Sequence, residues 1–503
     1  RPSVNEIGQV RFNTTTSQFE GYNNSDAWQG LGGVIDVDQD TYISAESAPT
    51  ADEDQLTFYT SGSQKMKITK EGNFSLTNPF VETGWNQFGQ DITGAQEPTT
   101  TNAAKMGRVV SMDNTGNTIA AAHYRGDVDI GDDAGLYQIY RYDPESELWY
   151  QLGDTLSFGS EVGSYNTEGD GIQLAGNGNI VVIQSRSYDV TSTDNNENGA
   201  VAVYEYSDIS KNWFQRGQLL TGLHEENWGG YGAGISINDD GTILAIGSYN
   251  ANRQTGMAMI YEYNTAEDNW DRFGTTDSGE TGLFNGVNER DYFGYSVCLN
   301  SSGDHIAISS TNAHTGVLLY VYQYNSADAL WNQLGTTIIG KNLHNNVDVQ
   351  TESAMSADGT IVALSGCHTP FNGHSVGGVE VWQYNGTSWN QLGQTLFGEV
   401  QTGPNDLTQI QRFGGLGQRG ISLSSDGYTL AVIAQLHSSD ATSISGGATY
   451  IFKYMNGNWS LVQKINAIDK LTHQNDVFNS TIVSQTHNNS CQLNADGTKI
   501  VIG

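Results

Sequence analysis

The sequence predicts an all-β fold, a seven-bladed β-propeller of four-stranded blades preceded by a small β-rich fibre-like module, on three observations. A Trp that opens a short strand recurs at Trp85, Trp149, Trp213, Trp270, Trp331, Trp389 and Trp459, an interval of about 60 residues. A glycine between two apolar strands recurs at Gly116, Gly178, Gly241, Gly303, Gly359, Gly427 and Gly497. An aromatic-x-Tyr strand end recurs at Tyr140/Tyr142, Tyr204/Tyr206, Tyr261/Tyr263, Tyr322/Tyr324, Trp382/Tyr384 and Phe452/Tyr454, five or seven residues before the next Trp.

Each mark places one element. Ile235-Ser236-Ile237 opens a repeat as strand A, and Ile243-Leu244-Ala245-Ile246 follows the glycine as strand B. The glycine is constant while the residue before it varies, as expected of a turn that needs φ > 0. Met257 to Tyr263 is strand C, and Trp270 opens strand D. Period-2 alternation with aromatic and β-branched enrichment supports strands, and no amphipathic helix is evident. Antiparallel four-stranded units close in a ring that protects their edges. A β-solenoid is the alternative, although its repeats are usually shorter, about 20–30 residues.

Residues 1–80 read as the fibre-like anchoring module and 81–503 as the propeller, whose last blade is truncated. The seventh copy stops at Gly503 after strand B, whereas Trp85 begins a D strand with no A, B or C of its own. Trp85 to Gly89 is therefore expected to complete the blade begun by Cys491 to Ile502. A chain continuing past Gly503, or Gly72 to Thr77, then supplies strand C.

Charged residues are 16% of the 503, with Asp+Glu 56, Lys+Arg only 22 and net charge −34. Such a surface repels phosphate backbones, which excludes nucleic acid and anionic membranes as partners. No apolar stretch is long enough for a membrane span. Cys298, Cys367 and Cys491 fall in different repeats, so no disulfide framework is expected. The opening Arg1-Pro2-Ser3 reads as a processed or internal start.

The stretch Tyr292-Phe293-Gly294-Tyr295-Ser296-Val297, running into an Ala-Ile-Ser strand and then Tyr-x-Tyr, resembles the FG-GAP repeat of integrin α-subunit propellers. Tyr231-Gly232 and Met106-Gly107 fill the equivalent place in other copies. The resemblance spans residues 84–503 and implies a propeller. Turns such as Asn494-Ala495-Asp496-Gly497-Thr498 lack the multi-carboxylate loop of that family, so it brings no calcium to the glycine turns. Gly8 to Tyr22, Trp28, Leu31-Gly32-Gly33, Asp36 to Thr41 and Leu56 to Gly62 are similar to segments of fibre and tail-fibre-like proteins of phages and large marine DNA viruses. That resemblance implies a virion-surface setting and a homotrimeric β-rich stem.

Antiparallel connectivity puts the short A–B and C–D turns on one rim and the long, variable B–C and D–A loops on the other, where binding is expected. Two B–C loops carry hard-cation donors suited to calcium: Asp127, Asp129 and Asp132, and Asp194, Asn196 and Asn198. The second set matches an EF-hand expression without flanking helices, and its Glu205 falls in strand C. Cys367, His368 and His374 lack a fourth ligand and fit no zinc pattern. Trp228, Tyr231, Phe284, Tyr292 and Phe371 are rim aromatics that can stack on sugars or pack between blades.

Enzymatic motifs are not found: there is no G-x-S-x-G elbow, H-E-x-x-H or P-loop. Ser356-Ala357-Asp358-Gly359 lacks the Asp–Gly separation of a sialidase Asp-box. The chain is expected to be a non-catalytic virion-surface protein, fibre or capsid-associated, whose propeller attaches to virion or cell-surface proteins or glycans. A secreted extracellular adhesion or lectin-like propeller is the first alternative. A propeller glycosidase, which needs two positioned carboxylates, is the second.

Overall fold

The computed structural model describes residues 10–13, 18–22, 28–30, 42–44, 56–60, 63–68, 74–76, 85–92, 105–124, 135–158, 171–186, 188, 199–222, 231–312, 316–340, 343, 351–366, 370–371, 374–375, 377–398, 420–434, 448–466 and 490–503. The chain divides into two compact units, Arg1–Gln87 and Phe88–Gly503.

The first unit contains two antiparallel meanders. One joins Val10–Asn13, Gln18–Tyr22 and Trp28–Gly30, and the other joins Tyr42–Ser44, Leu56–Thr60, Ser63–Ile68 and Phe74–Leu76. Within the second meander Phe74–Leu76 pairs with Ser63–Ile68.

The second unit is an all-β propeller with six four-stranded antiparallel blades among the described residues, each in chain order A-B-C-D from the inside out. The third blade is typical: Tyr231–Ile237, Ile243–Ser248, Met257–Asn264 and Asn269–Arg272. The inner strands of the others are Lys105–Met112, Gly171–Leu174, Val297–Leu299, Ser353–Met355 and Ile421–Leu423. The expected count of seven four-stranded blades is corrected to six. The seventh repeat gives a two-stranded sheet, Cys491–Leu493 with Ile500–Ile502. The reason is visible in the sequence: aromatic-x-Tyr five or seven residues before a Trp occurs six times, and each copy lies at the end of the C strand of a complete blade.

A fifth segment, not anticipated from the sequence, follows strand D and returns to the start of strand C. Leu220 pairs with Val201, Phe284 with Ala258, Ile338 with Leu319 and Leu396 with Val379, and Leu156 bridges Tyr137. All five returning side chains are buried. They seal the gap between neighbouring blades.

B strands sit between A and C and face a neighbouring blade on both sides. That is why Ile180–Ser185, Ile243–Ser248, Ile361–Gly366 and Thr429–Ala434 are buried at every position. Cores form between blades, as where Ile243, Ile260 and Phe284 of the third meet Val297, Ile306 and Trp331 of the fourth.

The six strand-D residues Trp149, Trp213, Trp270, Trp331, Trp389 and Trp459 are at most 8% exposed, and each indole donates to a carbonyl of the preceding D segment. Trp331 Nε1, for example, reaches the Phe273 carbonyl at 3.1 Å. The next residue, Gly274, lies flat on that ring at φ 70°, where a Cβ would come within 2.6 Å of the indole nitrogen. Only glycine fits such an approach.

Phe88–Ile92 makes the contacts of a D segment. The Phe88 carbonyl accepts the Trp149 indole at 2.8 Å, and Gln90 exchanges two hydrogen bonds with the Trp149 backbone, as Gln218 does with Trp270. Lys499, at the start of the last B strand, holds its ammonium 4.4 Å from the Phe88 ring centroid. The first and last repeats also meet directly. Gln492 Oε1 accepts from Ser111 Oγ at 2.9 Å and from the Met112 N–H at 3.1 Å, and Lys499 Nζ donates to Asn117 Oδ1 at 2.7 Å.

Candidate functional site at the variable rim

The two rims have different chemistry. On the glycine-turn rim the polar groups satisfy one another. The first turn residue caps the N–H five positions on, through Asp113, Asn238, Asn300, Ser356, Ser424 and Asn494. Asp240, Asp358, Asp426 and Asp496 accept the N–H two residues on. The Thr498 hydroxyl and N–H hold the Asp496 carboxyl below its ordinary range; for Asp358, burial pushes upward but hydrogen bonds from Ser356 and Thr360 outweigh it.

Backbone hydrogen bonds link these turns around the axis. Asn114 N–H donates to Gly176 O, Asn177 to Asp239, Asp239 to Ser301, Ser301 to Ala357, Ala357 to Ser425, Ser425 to Ala495 and Ala495 back to Asn114. These seven links, 2.8 to 3.2 Å long, close a circle. The acidic groups of this rim are thus already engaged in holding turns.

Inside the ring is a cavity of about 200 Å³ lined by residues of all seven inner strands. Ser111, Ser236 and Ser422 each cap an N–H of the following inner strand, at Leu174, Leu299 and Leu493, so these hydroxyls are committed to structure. Burial pushes the Cys298 thiol up to about 12, and burial together with the charge of Glu352 pushes Cys491 higher still. Neither is a thiolate nucleophile near neutral pH. Glu352, 4% exposed, stands at the end of the cavity away from the turns and accepts the Gly420 N–H.

At that same end the loops of residues 249–256 and 286–296 meet. Ala251–Gln254 is a helical turn that winds left-handed, with Asn252 at φ 52°, ψ 51° and Arg253 at φ 59°, ψ 41°. Gln254 at φ 69°, Arg290 at 67° and Tyr292 at 47° are also left-handed. Ten non-glycine residues among those described have positive φ; the other five precede the Trp of strand D, one in each of five blades. Left-handed backbone costs about 1–2 kcal/mol per non-glycine residue. The surrounding hydrogen bonds hold it: Tyr292 N–H to Gln254 O at 2.9 Å, Phe293 N–H to Thr255 O at 3.1 Å, and Tyr292 hydroxyl to Gln254 Oε1 at 3.1 Å. Tyr249 packs 5.0 Å from Tyr295, which lines the cavity, and 6.3 Å from Tyr292.

The residues expected to bind divide as follows. Tyr292 lies in this cluster, half-buried. Phe284 does not belong to a binding surface: it is 1% exposed and stacks on Tyr322 and Trp331 as the returning plug of the third blade. Its rim assignment is therefore corrected; it lies fourteen residues after Trp270 where the other plugs lie seven after theirs, because an insertion displaces it. Tyr231 lies in an inner strand opposite Ser248, and Phe371 lies in a two-stranded hairpin opposite His374. Trp228, Asp127, Asp129, Asp132, Asp194, Asn196 and Asn198 lie outside the described residues, as does Cys367. Among the described residues no three His, Cys, Asp or Glu converge as a metal group, and no helix is long and apolar enough to cross a membrane. Arg253 escapes sequence reading because left-handed backbone without glycine leaves no mark there, and Tyr249 and Tyr295 because two loops far apart in sequence bring them together.

No family model and no curated protein matches the chain. Among solved structures it is similar to a periplasmic gluconolactonase of Pseudomonas aeruginosa (13% identity, 82% of this chain and 93% of that chain, TM-score 0.41). It is also similar to a Lactobacillus plantarum protein (11%, 84% and 94%, 0.40) and to TolB of Acinetobacter baumannii (13%, 83% and 77%, 0.36). At such identities and scores nothing about activity transfers to this chain.

Proposed function

We propose that this chain is a non-catalytic attachment protein, a propeller that offers its B–C/D–A rim to proteins or glycans while the unit of residues 1–87 anchors it. The setting we propose is a virion surface, following the resemblance of the first unit to viral fibre segments, and a trimeric stem and calcium in the B–C loops belong to the same proposal. One observation carries the binding reading: the turn rim consumes its polar groups in a closed circle, whereas two joined loops of the opposite rim bring together aromatic rings and two exposed arginines that have no partner among the described residues. Scaffold on one side and variable chemistry on the other is how loop-bearing folds divide the work.

The protein should be recovered by mass spectrometry from purified virions, and antibodies to the propeller should block particle attachment to host cells. Recovery only from the soluble secretome would move the reading to an extracellular adhesion protein. Turnover of chromogenic glycosides by the purified chain would overturn the non-catalytic reading.

A further inference from the structure

We infer that the joined loops 249–256 and 286–296 form a binding site for an acidic oligosaccharide, an inference that rests on the attachment reading and names its ligand class. Three independent features converge on it. The first is the backbone. Exposed left-handed positions are adopted most freely by glycine, yet Asn252, Arg253 and Arg290 occupy them with long or polar side chains exposed to solvent. The other left-handed non-glycine residues described recur in one scaffold turn, before the Trp of strand D; outside that turn such backbone is confined, among the described residues, to these two loops.

The second feature is the aromatic wall. Tyr249 and Tyr295 are inclined at 56°, and Tyr249 and Tyr292 at 43°, so three half-buried rings make a curved surface. Partly exposed tyrosine faces suit the CH-rich faces of a pyranose. The same surface meets the mouth of the cavity through Tyr295.

The third feature is charge. In the propeller Arg141 donates to Asn179, Arg216 to Glu205 and Arg272 to Gly282, and Arg108 and Arg186 are likewise engaged. Arg253 and Arg290, exposed on the two joined loops, have no side-chain hydrogen bond or ion pair among the described residues. In a chain of net charge −34, two such guanidinium groups on the loops that carry these rings favour an anion. The guanidinium fork matches a carboxylate or sulfate edge.

The test is calorimetric titration of the full chain with oligogalacturonate, sialyllactose, a heparin-derived hexasaccharide and neutral maltohexaose. At least one acidic probe should bind 10-fold or more tighter than maltohexaose, and the carboxylated and sulfated arms identify the anionic group. Tyr249→Ala with Tyr295→Ala should weaken that probe at least 10-fold. Arg253→Gly with Arg290→Gly should remove the preference for acid while the thermal midpoint holds or rises, because glycine relieves the backbone; a merely structural role would lower it. Equal binding of acidic and neutral probes, or variants that bind like the parent, would overturn the inference. If the parent blocks particle attachment yet binds no acidic probe, the carbohydrate assignment fails and the attachment reading stands. If it binds the probe but plays no part in attachment, the reverse holds.

Discussion

Replacing Gln492 by Ala removes the side chain that joins the last repeat to the first. Its amide oxygen accepts from Ser111 Oγ and from the Met112 N–H, and its nitrogen donates to the Met112 carbonyl at 3.2 Å. Met112 is 5% exposed, so its N–H and C=O would lose partners in a place water reaches poorly. A buried polar group left unpaired costs about 1–3 kcal/mol, and two such groups put the loss at about 2–6 kcal/mol. For roughly 400 residues, an unfolding entropy near 2.1 cal/mol/K per residue turns this into a fall in midpoint of about 2–7 °C. Calorimetry at a fixed scan rate measures it, since a protein of this size can unfold irreversibly. The control is built in: Gln173 occupies the same place in the second inner strand, but its Oε1 has no hydrogen-bond partner. Gln173→Ala should cost less than about 0.5 kcal/mol. Equal shifts for the two variants would refute the view that Gln492 holds the ring shut.

Three further outcomes are expected. Phe284→Ala should lose about 3–5 kcal/mol of stability, as buried aromatic truncations do, while leaving ligand affinity unchanged in titration; loss of affinity without loss of stability would restore it to the binding surface. Gly274→Ala, which drives a Cβ into the Trp331 indole, should cost about 3 kcal/mol in urea unfolding. Gly279→Ala, at φ 81° with nothing within 4 Å, should cost about 1 kcal/mol. Finally, burial lowers the His123 pKa to about 4, its hydrogen bond to Gln138 opposing this in part. Below pH 6.5 the unfolded chain takes up a proton that the folded one refuses, so this stabilisation is complete above pH 6.5 and is lost as pH falls toward 4. The loss amounts to about 3 kcal/mol, and melting curves of His123→Gln should lack that part of the acid slope.

What the sequence revealed and what it concealed have separate causes. The Trp, glycine-turn and aromatic-x-Tyr marks are readable because each reflects a local demand: an indole against the preceding blade, a positive φ, or a period-2 face. The returning plug was present in the spacing of Leu156, Leu220, Ile338 and Leu396, each seven residues beyond a Trp. A single apolar residue after a turn carries no periodicity to mark it, and Phe284, displaced to fourteen residues beyond Trp270, reads in the sequence as one more rim aromatic. The count of four-stranded blades followed the Trp and glycine marks, although the C-strand mark occurred only six times. The left-handed turn at Asn252 and Arg253 was beyond reach, because neighbouring loops enforce it against the preference of its own residues.

The circle of turn-to-turn hydrogen bonds has a consequence for how the molecule assembles and fails. Six of its links join successive repeats, but the bond from Ala495 to Asn114 spans almost the whole propeller. Loop entropy grows only slowly with length, yet it must be met before that last bond gives anything back. Neighbouring blades can therefore dock early and pairwise, whereas the final junction waits for all the others. Heating, tension or a protease should enter there first, at the junction of the first and last repeats. A cut in any C–D turn, with a cross-link across that junction, would move the weak seam to a different blade.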